Sequence, residues 1–297
     1  MCFEQIDGKI IMRGFSNFSI EEILECGQCF RFERLAAGHY AIVALGEVLR
    51  IKQTADTVAF WHPDKPLEMG DFMSKWVPYF DLERDYAAII THICDGDAVM
   101  ASAAAFAPGI RILQQDPWEM LISFIISQNN RIPQIKKVIA AICAQFGDQI
   151  GHDGNAFPTP TQLARATEAD LRALKAGFRA AYIMDATAKA SAGHLPLTRD
   201  TAMPTADLRR ALLEIKGIGE KVAHCILLFG YGRHDSFPVD TWVKKVMQQY
   251  YFGGGDIRSS EIQSFATAKF GGYSGFAQQY LFHYMRMQNG QSGENGR

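Results

Sequence analysis

The sequence has no apolar run approaching the ~18 residues that would span a bilayer. Its first residues, MCFEQIDGKIIMRGF, lack the basic and apolar regions of a secretion signal. Six cysteines are few for 297 residues and do not indicate a disulfide framework. Composition excludes wholesale disorder, collagen and coiled coil, since 48% of the residues are hydrophobic and 21% are charged. These absences predict a cytoplasmic globular protein that does not bind membranes, and the length predicts about two domains.

Two of the cysteines, Cys26 and Cys29, form the motif CGQC. Their spacing is that of metal ligands, but no second pair and no histidine partner lies near them in the sequence. The motif therefore favours reduced thiols over a zinc or redox site. The sequence as a whole predicts no metal and no organic cofactor.

Charge is unevenly distributed, although the net charge at pH 7 is only −2. Residues 1–110 hold 9 Lys and Arg against 16 Asp and Glu, whereas residues 111–250 hold 17 against 13. An anionic partner, if there is one, should therefore bind the middle of the chain.

Hydrophobic periodicity divides the chain into a strand-rich beginning and a helical remainder. The segment 39–62 is rich in β-branched and aromatic residues, with period-two alternation that predicts an antiparallel meander. From about Asp71 the period is that of helices, with breaks at 147–160, 194–204 and 253–256. The pattern predicts an α+β fold, in which an N-terminal antiparallel β-sheet domain precedes an all-α domain.

We place the N-terminal domain at residues 1–112, with helices beside its sheet, and the helical domain at 113–287. The segment QNGQSGENGR, residues 288–297, lacks apolar residues. With nothing to bury, it is predicted to form a disordered tail.

The segment KGIGEK carries the first functional signal. One helix is predicted to end at Lys216 and a second to begin at Glu220, with Gly217 and Gly219 in the turn. Two glycines spaced by one residue allow a sharp turn whose N–H groups can hold a phosphate at a helix N-terminus. The same pattern is also typical of an ordinary turn between helices, so the glycines alone leave both interpretations open.

Two candidate catalytic residues follow this turn. Lys221 lies on the second helix, four residues before Cys225 and therefore on the same face. A lysine in a partly dry site can lose its proton and act as an amine nucleophile, as in Schiff-base enzymes. Asp240, in the motif PVD, comes directly before a predicted helix that its carboxylate can cap. Taken alone, Lys221 could be a solvated helix charge and Asp240 a plain cap.

Together, the hairpin, Lys221 and the PVD aspartate resemble the helix-hairpin-helix DNA glycosylases, in the branch with a catalytic lysine. Four more segments are similar to those of bacterial-type 8-oxoguanine DNA glycosylases, in the same order: CGQCFRF (26–32), GIRILQQDPWEMLISFIISQNN (109–130), GFRAAYI (177–183) and GFAQQYLF (275–282). The resemblance covers about Phe18 to Met287. It implies a monomeric DNA glycosylase and AP lyase that excises 8-oxoguanine from double-stranded DNA in base excision repair.

The resemblance also implies the course of the reaction. The target nucleotide must leave the base stack, which costs a few kcal/mol of unstacking. Lys221 would then attack C1′, expel the damaged base and form a Schiff base, after which β-elimination can cut the strand. Asp240 would stabilise the positive charge that develops on the sugar.

Four residues are implied to bind the damaged base. The oxidised purine would lie between Cys225 and Phe282, and Gln278 would read its Watson–Crick edge. The carbonyl of Gly27 would accept a hydrogen bond from N7–H, the proton that distinguishes 8-oxoguanine from guanine. Taken alone, these residues could equally be core side chains, a turn glycine and a solvated amide.

Three other residues are implied to contact the emptied duplex. Asn129 would enter the gap, Phe178 would act as an aromatic wedge, and Arg179 would hold the estranged cytosine. Gly217 and Gly219 would hold a backbone phosphate. Asn129 could also be a helix C-cap, while Phe178 and Arg179 could be a core ring beside a surface charge.

The sequence departs from the family pattern at three positions. Gln134 stands where animal enzymes have a second arginine for the opposite cytosine, which predicts relaxed discrimination of the opposite base. His224 replaces a familiar acid, and Trp242 replaces a histidine that contacts phosphate. The last two changes put phosphate contacts in doubt more than the chemistry.

Three alternative functions share parts of this pattern. Endonuclease III and its adenine-specific relatives add a four-cysteine iron–sulfur loop, but no cysteine follows Cys225 in this sequence. A monofunctional alkylpurine DNA glycosylase of the same fold would use the aspartate alone, with Lys221 in a structural role. A non-catalytic helix-hairpin-helix DNA-binding protein would use the hairpin as a clamp, which the pairing of Lys221 with Asp240 disfavours.

Overall fold

The computed structural model describes residues 1–152 and 154–294. Its first part is an antiparallel sheet with the strand order β1-β2-β6-β5-β4-β3. The strands are β1 (Cys2–Ile6), β2 (Lys9–Arg13), β3 (Phe32–Ala36), β4 (His39–Ala44), β5 (Glu47–Gln53) and β6 (Thr57–Trp61). A short hairpin of β7 (Gln149–Ile150) and β8 (Gly154–Asn155) forms a second, two-stranded sheet.

The meander predicted for residues 39–62 is confirmed as β4, β5 and β6. Along β4, Tyr40, Ile42 and Ala44 are buried while the residues between them are partly exposed, which is the alternation that the sequence pattern predicts. Leu45 and Gly46 join β4 to β5 with φ values of 55° and 73°, as a two-residue hairpin requires. The other strands of the sheet were not predicted. β1 and β3 are largely exposed and have no buried face to mark them, and β2 is short, with only Ile10 and Met12 buried.

Helices form most of the remaining chain. They are α1 (Ile20–Glu25), α2 (Met69–Asp71), α3 (Val77–Tyr79), α4 (Tyr86–Cys94), α5 (Ala98–Phe106), α6 (Pro117–Ser127), α7 (Ile132–Phe146), α8 (Pro160–Leu163), α9 (Glu168–Ala173), α10 (Arg179–Ser191), α11 (Thr205–Leu213), α12 (Glu220–Phe229), α13 (Thr241–Tyr251), α14 (Ser259–Phe270) and α15 (Ser274–Glu294). A π-helix (Phe72–Trp76) joins α2 to α3, and a 3₁₀ turn (Gly271–Tyr273) precedes α15. The predicted α+β architecture is confirmed, and none of the helices described is both long and apolar enough for a membrane crossing.

Two helix ends differ from the predictions. The first helix of the hairpin ends at Leu213, not at Lys216, because the N–H of Lys216 donates to the Asp185 carboxylate at 2.7 Å. The last helix continues to Glu294, through most of the segment predicted to be a disordered tail. A helix already formed by packing adds each further residue without a new nucleation step. Residues 295–297 lie outside the described part of the chain.

The buried side chains form two clusters. One lies between the sheet, α1 and the helical segment around Trp76 and Phe80. The other fills the helical part of the molecule, and it also includes Tyr86, Ile89 and Met100 from α4 and α5. These two helices therefore pack with the later helices, although they precede the boundary predicted at residue 112. The division into folding domains stays a prediction.

Candidate active site

A cleft of about 1460 Å³ runs past the end of α6, the middle of α15 and the beginnings of α12 and α13. Eight residues singled out from the sequence line it: Gly27, Asn129, Gln134, Gly219, Lys221, Asp240, Trp242 and Phe282. Six others do not line it: Phe178, Arg179, Gly217, His224, Cys225 and Gln278. The folded chain thus brings together segments that are as much as 255 residues apart in sequence.

Lys221 lies in the first turn of α12 and is partly buried. Its Nζ is 5.7 Å from the centre of the Phe124 ring, and that ring stacks on Phe229 with 5.5 Å between centroids. Burial raises the pKa of the nearby Cys225 thiol, and the Lys221 charge lowers it in part. An amine against an aromatic wall faces the partly dry surroundings that nucleophilic lysines need.

Asp240 is the N-cap of α13, so the capping interpretation is correct as far as it goes. Its Oδ1 accepts a hydrogen bond from the N–H of Val243 at 2.8 Å. Burial raises the pKa of this carboxyl, against the opposing effects of the Val243 N–H and of the Lys221 and Arg286 charges. The cap holds the carboxylate in the cleft beside the lysine, so one side chain can serve both the helix and the chemistry.

The turn between α11 and α12 requires glycine at position 217. Gly217 has a φ of 79°, and a Cβ there would lie 2.2 Å from Cδ2 of Tyr182. Asp185 holds the same turn, because its carboxylate accepts from the N–H of Lys216 and from Lys189. Gly219 is the N-cap of α12 and faces open space in the cleft. The hairpin is thus anchored from α10 and presents a helix N-terminus to the cleft.

Gly27 lies opposite the hairpin, in a loop that is also restricted to glycine. Its φ is 86°, and a Cβ there would lie 3.0 Å from Nη1 of Arg286 and 3.1 Å from Cε1 of Phe282. The next residue, Gln28, is fully buried, and its amide bonds the carbonyl of Arg111 at 2.7 Å and the N–H of Leu113 at 2.8 Å. The loop is therefore held rigidly against the segment that precedes α6.

The two cysteines beside this loop are buried thiols. Cys26 donates to the carbonyl of Ile23 at 3.2 Å, and Cys29 donates to that of Leu24 at 3.7 Å. Burial raises the pKa of Cys26 to about 11, and that of Cys29 well above its ordinary value. Protonated thiols of this kind are inert structural groups. Among the residues described, there is no group of three His, Cys, Asp or Glu that could hold a metal ion.

Gln278 lies on α15, one turn before Phe282, and is 4% exposed. Its Oε1 is buried and has no hydrogen-bond partner in the described part of the chain. The neighbouring Gln279 instead donates to the carbonyl of Cys26 at 2.9 Å, which ties α15 to the Gly27 loop. Gln278 and Cys225 are therefore buried behind the cleft wall, close to the residues that line it.

In the loop after α6, Asn129 and Asn130 have different surroundings. Asn130 caps the helix, since its Nδ2 donates to the carbonyl of Ile126 at 3.2 Å. Asn129 is exposed in the cleft and has a φ of 49°. Arg179 is 8% exposed and grips this loop, donating to the carbonyl of Gln128 at 2.7 Å and to that of Asn129 at 2.9 Å. In this state the guanidinium stabilises the loop that presents Asn129.

Phe178 lies directly before Arg179, at the N-cap of α10. It is 47% exposed, which a core ring would not be, and it contacts Tyr182 with 5.8 Å between ring centroids. The Arg179 guanidinium packs 4.4 Å from the centre of the Phe178 ring. An exposed ring beside the hairpin has the position that a wedge into stacked bases would need.

The residues that line the cleft but were not predicted from the sequence include Phe124, Arg131, Lys244, Lys245 and Arg286. Two signals could have found some of them. Lys244 and Lys245 follow the PVD motif in the first turns of α13, and Arg286 lies four residues after Phe282 on the same helix face. Lys244 pairs with Asp256 at 2.9 Å, and Lys245 lies 4.9 Å from the centre of the Trp242 ring. Together they make the cleft locally basic.

Comparisons with known proteins address the family of the chain. Residues 10–121 match the family model for the 8-oxoguanine DNA glycosylase N-terminal domain, and residues 122–270 match that for HhH-GPD superfamily base excision DNA repair proteins. A solved Clostridium acetobutylicum 8-oxoguanine glycosylase/lyase, in complex with DNA that has cytosine opposite 8-oxoG, is 39% identical. Its TM-score is 0.91, over 97% of this chain and 99% of that one.

The N-glycosylase/DNA lyase of Saccharomyces cerevisiae is 31% identical over 270 residues, covering 80% of this chain and 69% of its own. A 3-methyladenine DNA glycosylase from Archaeoglobus fulgidus shares the fold with a TM-score of 0.72, over 96% of this chain and 99% of that one. It is only 18% identical, so this likeness extends to the fold alone. The family predicted from the sequence is confirmed: the chain belongs to the HhH-GPD superfamily of base excision DNA repair proteins, in its 8-oxoguanine DNA glycosylase family.

Proposed function

We propose that this chain is a bifunctional DNA glycosylase and AP lyase that excises 8-oxoguanine from duplex DNA in base excision repair, with Lys221 as its nucleophile. The observation that carries the proposal is the meeting of Lys221 and Asp240 in one cleft, beside the anchored hairpin. The family membership and the glycosylase/lyase relatives support the same activity. Double-stranded DNA is accordingly the partner.

Catalysis begins when the neutral amine of Lys221 attacks C1′ of the extruded nucleotide. The C1′–N9 bond breaks, the base leaves with its bonding electrons and takes up a proton, and the sugar stays bound to Nζ. Opening of the sugar ring gives a Schiff base. Loss of a C2′ proton then breaks the C3′–O3′ bond by β-elimination. Phe124, against which Lys221 packs, helps to exclude water from this amine.

Asp240 stabilises the positive charge that develops at C1′ while the C1′–N9 bond breaks. A carboxylate that is already fixed by its cap bond needs no reorganisation at that moment, which is the condition for strong electrostatic stabilisation. Its burial supports this role, because a charge in a water-poor site acts more strongly on its neighbours. Asp240 need not be the base that deprotonates Lys221.

The damaged base is bound by the residues around Gly27 and Phe282. In the proposal its faces lie against Phe282 and Cys225, its Watson–Crick edge meets Gln278, and its N7–H donates to the carbonyl of Gly27. The unpartnered Oε1 of Gln278 supports this assignment, since a buried acceptor without a partner is costly unless a ligand supplies one. The buried position of Cys225 means that the base must enter beside Lys221.

The duplex is held by three groups of residues in this proposal. Gly217 and Gly219 bind a backbone phosphate through the N–H groups of the hairpin and the start of α12. Asn129 fills the gap left by the extruded nucleotide, and Phe178 enters the stack beside it. Arg179 reaches the estranged cytosine once DNA competes for the loop carbonyls that it binds.

The proposal includes three expectations from the sequence that concern the whole protein. Gln134 lies in the cleft in place of an arginine, so the enzyme turns over 8-oxoguanine opposite bases other than cytosine. The protein acts as a monomer, which light scattering after size-exclusion chromatography tests. The protein is located in the cytoplasm, and cell fractionation tests this location.

The deciding experiment is borohydride trapping on a duplex with one 8-oxoguanine opposite cytosine. The wild type should form a covalent adduct and release the base, whereas Lys221→Gln should form none. Lys52→Gln removes an exposed lysine on β5 and serves as the matched control, with adduct formation like that of the wild type. Base release without an adduct would move the protein to the monofunctional branch, and specific DNA binding without either would leave a non-catalytic clamp.

A further inference from the structure

Arg286 extends from α15 to the Gly27 loop across the base-binding side of the cleft. Its Nη2 donates to the carbonyl of Glu25, and its guanidinium carbon lies 5.4 Å from the centre of the Phe282 ring. The residue is partly buried and lines the cleft. These contacts hold the guanidinium in one place beside the proposed site of the base.

The second arm of the same guanidinium is unsatisfied. Nη1 of Arg286 is buried and has no hydrogen-bond partner among the residues described, and it lies 3.0 Å from the position of a Cβ on Gly27. A buried donor without an acceptor loses its hydration without compensation, and the loss is greater when the group is charged. Such groups in folded proteins call for a ligand, an ion or water.

Among the residues described, three buried polar atoms on α15 are unpaired, and two of them occur one turn to each side of Phe282. The third is Nδ1 of His283, the residue after Phe282. Gln278 comes four residues before the ring, with its Oε1 unpartnered, and Arg286 comes four residues after it, with its Nη1 unpartnered. Side chains at this spacing share one helix face. The face therefore offers polar groups for two edges of a flat ligand lying on Phe282.

We propose that Arg286 is a specificity residue that donates from Nη1 to the C8 oxygen of the flipped oxidised purine. The inference rests on the proposed function, in which the carbonyl of Gly27 accepts from N7–H. 8-Oxoguanine differs from guanine at two adjacent positions, with a donor at N7 and an acceptor at C8. Gly27 matches the first and the neighbouring Arg286 matches the second, so the pair reads both marks of oxidation.

A purely structural Arg286 would act differently. Through its bond to Glu25 it would only position the loop, and its loss would slow the excision of every base that uses Gly27 by the same factor. A donor to the C8 oxygen is instead sensitive to the atom at C8. 8-Thioguanine separates the two roles, because it keeps N7–H but has sulfur, a weak hydrogen-bond acceptor, at C8.

The experiment measures single-turnover excision of 8-oxoguanine and of 8-thioguanine, each opposite cytosine, by the wild type and by Arg286→Met. Loss of a hydrogen bond from a charged donor should slow the excision of 8-oxoguanine by roughly 10- to 100-fold. The excision of 8-thioguanine should slow by much less, so that the wild-type preference for oxygen collapses. Arg172→Met, at an exposed ion pair on α9, is the matched control.

Cleavage of a preformed abasic site is the third readout. That substrate has no base, so Arg286→Met should slow its cleavage much less than it slows the excision of 8-oxoguanine. If Arg286→Met folds poorly, Arg286→Lys keeps the charge but loses the planar fork, and it should weaken the preference for oxygen in part. Equal slowing on both bases would overturn the inference while leaving the proposed function intact. A wild type that forms no adduct even at the abasic site would overturn both.

Discussion

Lys221 and Asp240 reach the cleft from neighbouring stretches of chain, whereas Gly27 and Phe282 reach it from opposite ends of the described chain. The first pair is positioned by the starts of two helices, which local sequence largely determines. The second pair is positioned by contacts such as that of Gln279 with Cys26, which joins residues 253 positions apart. In this fold, the residues proposed for catalysis depend on local structure, and the residues proposed for base recognition depend on tertiary packing.

Because Lys221 and Asp240 are positioned by local structure, we expect that a substitution of Asp240 can abolish most activity without disturbing the fold. Asp240→Asn keeps an oxygen that can cap α13 but removes the negative charge. We expect single-turnover excision of 8-oxoguanine to fall by about 100- to 1000-fold, as when one fixed electrostatic group is lost elsewhere. Circular dichroism should show an unchanged helix content.

Asp116→Asn is the matched control for this change. Asp116 caps α6 in the same way, since its Oδ1 accepts from the N–H of Glu119 at 2.8 Å, but it does not line the cleft. Its variant should keep the wild-type rate. A rate for Asp240→Asn within a few-fold of the wild type would show that Asp240 serves only the helix.

The residues proposed to bind the base should be sensitive to an added side chain, not to the loss of a charge. Gly27→Ala adds a Cβ that lies 3.0 Å from Arg286 and 3.1 Å from Phe282, at a φ of 86°. The left-handed conformation alone costs about 1–2 kcal/mol, so we expect excision of 8-oxoguanine to slow by roughly 10-fold or more. Cleavage of a preformed abasic site should be spared, because it needs no base pocket.

Gly46→Ala controls for the backbone conformation. Gly46 has a φ of 73° in the β4–β5 turn, with open space where an added methyl group would lie, so its variant should lose stability without losing base selectivity. If Gly27→Ala slows both excision and abasic-site cleavage to the same degree, the loop supports the whole cleft. The proposed separation between residues for catalysis and residues for base recognition would then be wrong.

The features that could be predicted from the sequence are those that depend on local structure, and the features that could not be predicted depend on distant contacts. The hairpin and the cap at Asp240 were predicted because each is a short motif with a local physical cause, and the strands at 39–62 were predicted because one face is buried. Arg286 was not predicted, since its meaning depends on a loop 261 residues away. Nor does the sequence reveal that Arg179 holds the carbonyls of the Asn129 loop, because backbone acceptors leave no sequence signal.

A substitution at Gln134 should change how strongly the enzyme prefers cytosine as the opposite base. Its backbone N–H donates to the carbonyl of Arg131 at 2.9 Å, and its side chain is partly exposed in the cleft. Gln134→Arg adds a guanidinium that can pair with cytosine, and we expect the preference for cytosine over adenine to rise by about 5- to 10-fold. Excision rates opposite all four bases measure it.

Gln149→Arg, on the exposed strand β7, adds the same charge away from the cleft and should leave that preference unchanged. Strong rejection of adenine, guanine and thymine by the wild type would contradict the relaxed discrimination predicted from Gln134. An unchanged preference in Gln134→Arg would assign the discrimination to Arg179 instead.

The smallest effect concerns stability, where two carboxylates should behave in opposite ways as pH changes. Burial raises the pKa of Asp240, so the folded state holds its proton more tightly than the unfolded state. Its contribution to stability is therefore lost as pH rises through the folded pKa, and the charged group is unfavourable near pH 7. Asp240→Asn should have a higher Tm than the wild type at pH 7, with the two converging as pH falls.

Asp185 is the opposite case, since burial raises its pKa but the Lys216 N–H and Lys189 outweigh that effect and lower it. Stability from Asp185 is present above its unfolded pKa and is lost as pH falls through the folded pKa. Asp185→Asn should therefore lower the Tm at pH 7 and converge with the wild type in acid. A lower Tm for Asp240→Asn at pH 7 would mean that its charge stabilises α13 more than burial destabilises it, and Asp240 would then carry no stability cost for function.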